Sequence, residues 1–149
     1  MTSALMPLRP SERKTLLVSL DLLITSAAAV LALVVWAVRD GRVPVGLFVA
    51  DRLHWVLILA AAWMVLALLR DLYDLGRAAD FRETISALAG NTVLEIGGYL
   101  LLYFFLSSER ALPRGVVLYH GAMALVLVGT WRAAYVTTGR RALGRRVLI

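Results

Sequence analysis

The chain has 149 residues, of which 60% are hydrophobic and 17% charged, with no cysteine and a net charge of +6. Soluble domains run at roughly 45–50% apolar and about 25% charged residues, so this balance lies far toward burial or lipid. Without cysteine there is no disulfide frame, and the arginines sit at the ends of apolar runs. That placement suits lipid headgroups rather than the Arg/aromatic pattern of a nucleic-acid module, so no nucleic-acid partner is expected.

Residues 1–14 form a basic tail carrying Arg9, Arg13 and Lys14. A first helix is expected over about 15–38. It is longer than the usual h-region of a signal peptide, about 7–15 residues, and ends without a small-x-small cleavage site, so it reads as a retained helix. Gly41, Pro44 and Gly46 mark a loop. Val43 to Ala50 is a short apolar piece that either lies in the membrane interface or extends the next helix past Asp51 and Arg52.

The second helix, about 53–72, contains the run Leu57 to Leu69, which is apolar on every side. A soluble helix shows one apolar stripe and a charged face; a helix apolar all round is centrally buried or spans a membrane. Four such helices in a chain this short cannot all be central. A polar turn, Tyr73 to Arg77, follows, and then a third helix over about 81–106. Between Thr84 and Ser108 its single charge is Glu95. Pro113 suits the first turn of a fourth helix over about 115–136, since proline has no N–H to lose there. Each run meets the length of about 17–25 mostly apolar residues that a bilayer-spanning helix needs, three of them near the lower end.

The expected fold is an all-α membrane protein, a four-transmembrane-helix bundle. Lys and Arg number eleven on the side of the two termini and the 2–3 loop, against five on the other. The positive-inside rule then places both termini in the cytoplasm. Trp36, Trp55 and Trp131 fall near helix ends, as interfacial aromatic belts do. Residues 137–149 read as a basic, glycine-containing linker followed by Val147-Leu148-Ile149, the opening of a buried strand. A strand needs a partner for its backbone groups, so the chain reads as the membrane part of a longer protein.

Glu95 is the sharpest single residue. A carboxyl near the middle of a spanning helix costs about 2.5–3.5 kcal/mol on insertion scales and marks a possible functional site. Gly97 and Gly98 beside it would let another helix approach closely. Either the carboxyl packs against His120 or a tyrosine, or it serves an ion or substrate. His120 lies on the same membrane half and reads as a packing or interfacial residue. Asp21, near the cytoplasmic end of the first helix, would be met by headgroups or by a basic tail residue, and His54 opens the second helix. Ser86 with Gly90, and Gly129 with Ala133, have small-xxx-small spacing. No HExxH, GxxxxGK[ST], GxSxG or GxGxxG motif is present, so no catalytic residue, metal site or cofactor is assigned to this segment.

The turn Tyr73-Asp74-Leu75-Gly76-Arg77 follows the second helix, and Leu112-Pro113-Arg114 precedes the fourth. That helix closes on Trp131-Arg132-Ala133-Ala134-Tyr135, and the chain on Arg145-Arg146-Val147-Leu148-Ile149. The arrangement resembles the N-terminal membrane region of bacterial polyprenyl-phosphate glycosylphosphotransferases, which start exopolysaccharide or O-antigen assembly. The resemblance implies a bacterial inner-membrane protein, a homodimer, whose final strand opens a Rossmann-like domain. It also implies transfer of a sugar 1-phosphate from a nucleotide sugar to undecaprenyl phosphate with magnesium, by domains outside these residues. Membrane-anchored, NAD-dependent nucleotide-sugar epimerases or dehydratases of capsule synthesis carry a similar Leu-Pro-Arg-Gly-Val-Val stretch. A stand-alone four-helix transporter or flippase using Glu95 is the remaining alternative.

Overall fold

The computed structural model describes residues 10–73, 81–106 and 111–144, and they form five helices with no strand among them. The tail up to residue 9, the turn beyond Tyr73 and the expected strand Val147–Ile149 lie outside the described residues. α1 spans Pro10–Asp40, α2 Val45–Asp51, α3 Leu53–Leu69, α4 Phe81–Leu106 and α5 Arg114–Gly144. Three helices, α1, α4 and α5, are long and apolar enough to cross a membrane, and the bent pair α2–α3 makes a fourth if taken as one span.

α1 begins earlier than its apolar run because Glu12 in the first turn favours the positive end of the helix dipole. It stops at Gly41, whose φ of +64° and N–H bond to the Ala37 carbonyl at 3.1 Å make a left-handed cap. The segment around 43–50 forms its own short helix, α2, meeting α3 at a 56° bend at Arg52. Phe48 on α2 is buried, and the Arg52 guanidinium lies 4.2 Å over its ring, so the elbow is packed on both sides.

α3 ends at Leu69, with the apolar run and three residues short of the expected helix end. Asp71 takes a left-handed φ of +51°. Its N–H reaches the Leu68 carbonyl at 3.2 Å, and the Leu72 N–H reaches Ala67 at 3.0 Å. Those two bonds are the Schellman closure, which satisfies carbonyls that a helix end leaves orphaned. α5 departs from expectation in the other direction. The backbone of residues 137–144, expected to be a linker, continues the helix to Gly144. Arginine and alanine, which recur over this stretch of sequence, have high helix propensity.

Two apolar cores fill the bundle. One gathers Leu17, Trp63, Leu72, Tyr73, Leu88 and Val128; the other gathers Leu33, Phe48, Leu59, Leu112, Val116 and Val117. Ala28, Ala29 and Ala32 are fully buried on α1, where small side chains bring α3 and α5 close. The outside inverts the soluble pattern. Leu57, Leu69, Phe104 and Phe105 are each more than 70% exposed, while Asp21, Asn91, Glu95, His120 and Arg132 are buried. Large apolar faces outside and ionisable groups inside describe a protein solvated by lipid.

Candidate functional site

Glu95 lies mid-way along α4 and His120 seven residues into α5. The structure brings them together: His120 Nε2 stands 3.2 Å from Glu95 Oε1, with both side chains sealed from the outside. Gly121 makes the approach possible, because a Cβ there would meet Ile96 Cδ1 at 2.6 Å and Thr92 Cγ2 at 3.0 Å. The contact has ion-pair distance but not hydrogen-bond alignment. Glu95 Oε2 and His120 Nδ1 are also buried without a hydrogen-bond partner. Buried polar atoms left open in this way are uncommon and call for an explanation.

Beyond Glu95 on the α3 side lies a half-open groove of about 580 Å³ between α3 and α4. Its walls are Ile58, Leu59, Ala61, Ala62, Val65 and Leu66 from α3 and Leu94, Gly98, Tyr99, Leu102 and Tyr103 from α4, with Trp55 and Ala111 at one end. Glu95 is the one acidic or basic residue in this lining. Three aromatic rings gather at the end away from Asp71. Trp55 and Tyr99 meet edge-on at 5.8 Å, and Tyr99 and Tyr103 stand 6.1 Å apart. The Tyr99 hydroxyl donates to the Leu112 carbonyl at 2.7 Å, which holds that ring in place.

The glycines sort differently from expectation. Gly97 and Gly98 have open space where a Cβ would stand, so among the described residues no helix packs on them. The close approaches fall instead at Gly121, at Gly115 against the Trp36 ring, and at Gly90 against the Arg70 guanidinium.

A second polar cluster joins three elements near the other end of the bundle. Arg132 on α5 donates through Nη2 to Asp21 Oδ2 on α1 at 2.6 Å, and through Nη1 to the Leu72 carbonyl at 2.8 Å. Its guanidinium also lies 5.2 Å over the Tyr73 ring. Burial, with the Asp21 carboxylate nearby, pushes the Tyr73 phenol above its ordinary range, so the ring stays neutral. The Tyr73 hydroxyl donates to Met64 Sδ at 3.2 Å. Asp21 is therefore met by a residue of the last helix, not by headgroups or the basic tail. Two opposite charges inside apolar runs at matching depth were the available signal, although they lie 111 residues apart. His54 remains at the start of α3, exposed, with its ring 5.7 Å from that of Trp55.

Among the described residues no three His, Asp or Glu side chains converge as metal ligands would. No protein-family model, curated protein or solved structure matches the chain. The resemblance to the glycosylphosphotransferases therefore rests on its short motifs alone.

Proposed function

We propose that this chain is the membrane-anchoring and dimerising domain of a sugar-1-phosphate transferase acting on undecaprenyl phosphate in a bacterial inner membrane. In this reading four spans place both termini in the cytoplasm. α5 leads toward a Rossmann-like domain and a catalytic domain that lie outside these residues. The observation that carries the anchoring role is the Asp21–Arg132 clamp. It spends a buried ion pair on tying the first helix to the last and to the chain after α3. α5 then runs unbroken for 31 residues, roughly 46 Å, far enough to leave a bilayer core of about 30 Å as a continuous rod. Such a rod transmits the orientation of the bundle to whatever follows it. The excess of arginine on one side supports the orientation.

The test is transfer of labelled sugar phosphate from nucleotide sugars to undecaprenyl phosphate. It uses membranes holding the full gene product, beside membranes holding residues 1–149 alone. Labelled lipid from the longer protein only is the expected result. A chemically altered nucleotide sugar without labelled lipid would replace the transferase with the epimerase or dehydratase, in line with the Leu112-Pro113-Arg114 stretch. Fusions of alkaline phosphatase and green fluorescent protein after residue 43 and after Ile149 check the orientation separately. Phosphatase activity should appear only at the first site and fluorescence only at the second.

A further inference from the structure

We infer that the α3–α4 groove is a binding site for a lipophilic monovalent cation, with Glu95 as its counter-charge. The inference uses the groove alone and stands apart from the enzyme proposed above. Three observations converge on it. The space, about 580 Å³, falls within the range of small-molecule sites, roughly 300–1,000 Å³. Its lining is mostly apolar, with Trp55, Tyr99 and Tyr103 at one end and Glu95 as the one acidic or basic residue, whose two carboxyl oxygens are buried without a hydrogen-bond partner. Trp55 and Tyr99 bring rings to one end, where Tyr103 already carries a cation, the Arg114 guanidinium 4.6 Å from its ring centroid; aromatic faces attract cations, most strongly when water is excluded.

Charge and hydration select the occupant. Magnesium and calcium need about six or more oxygen ligands, and a groove with a single carboxylate cannot replace that shell. A small hydrated monovalent ion loses its water with the same poor return. A large cation with delocalised or shielded charge carries little hydration to lose, covers the apolar walls and neutralises Glu95. A second copy of the chain does not meet the charge. Its α1, α3, α4 and α5 carry no lysine or arginine at the depth of Glu95. His120 stands on the far side with Nε2 3.2 Å from Oε1 but without hydrogen-bond alignment, so both carboxyl oxygens of Glu95 lack a hydrogen-bond partner.

The probe is radiolabelled tetraphenylphosphonium, titrated into the protein in lipid nanodiscs, with empty nanodiscs subtracting partition into lipid. One saturable site per chain is expected. Glu95→Gln keeps shape and removes the charge, and should weaken binding by about tenfold or more. Gly98→Leu leaves Glu95 untouched and puts a side chain into space where no atom now lies within 4 Å of its Cβ. It should weaken binding comparably while the fold is kept. Asp71→Asn, at the exposed turn after α3, should bind as the parent does. Circular dichroism and elution volume identify any variant that does not fold, and Gly98→Leu alone then decides. Equal binding by a folded Glu95→Gln or Gly98→Leu variant, equal displacement by a neutral analogue of the same shape, or no saturable binding above empty discs would overturn the inference.

Discussion

Arg132→Leu removes the residue that ties three elements together, and its effect can be worked from the contacts. The guanidinium supplies a 2.6 Å charge-assisted bond to Asp21 and a 2.8 Å bond to the Leu72 carbonyl. Asp21 is fully buried, and its Oδ1 has no hydrogen-bond partner even in the intact protein. Taking one member from a buried pair costs about 3–5 kcal/mol, because the other charge is left behind. The orphaned carbonyl adds about 1–3 kcal/mol. Against this, polar groups in a membrane protein find substitute partners in the unfolded state, and hydrogen bonds there average only about 0.6 kcal/mol. The net expectation is a loss of about 3 kcal/mol, at the low end of the pair-breaking range. The assay is reversible unfolding in mixed micelles of increasing sodium dodecyl sulfate, followed by tryptophan fluorescence. Asp21→Leu alone should cost a similar amount. The double variant should recover most of either loss, since an apolar replacement of a buried pair is often neutral. A single-variant loss under about 1 kcal/mol, or a double variant equal to the two single losses combined, would refute the clamp.

Two further substitutions test the backbone and the helix contacts. Asp71→Gly should stabilise by about 0.5–1 kcal/mol in the same assay, because the left-handed φ of +51° carries no Cβ penalty for glycine; Asp71→Val should destabilise by at least as much. Gly115→Leu drives a side chain into the Trp36 ring and should lose about 1–3 kcal/mol, part of which Trp36→Ala restores. If Gly115→Leu unfolds as the parent does, α1 and α5 are not held together at that crossing.

The number and rough position of the long helices were legible in the sequence. Length and apolarity are local, additive properties, and lipid asks for little more than about 20 apolar residues in a row. The ends were less legible. The second helix is expected to reach Leu72, yet Asp71 turns the chain after Leu69; Thr137 to Gly144 look like linker, yet the helix continues. Hydropathy measures what a residue is dissolved in, whereas a helix end is decided by backbone hydrogen bonds, to which hydropathy is blind. The bend at Arg52 belongs to the same class, because the residues on its two sides are alike in composition.

By its sequence alone this protein was determined to be a helical bundle with apolar surfaces and a carboxyl, Glu95, at mid-span. Only the tertiary structure decided which partner each buried polar group takes. Asp21 meets Arg132 across the bundle, Glu95 meets His120 where Gly121 lets α4 and α5 touch, and Gly97 and Gly98 face open space instead. Pairing depends on how each helix is rotated about its own axis. Where a helix is apolar all round, like α3, no amphipathic stripe is present to set that rotation, so packing sets it.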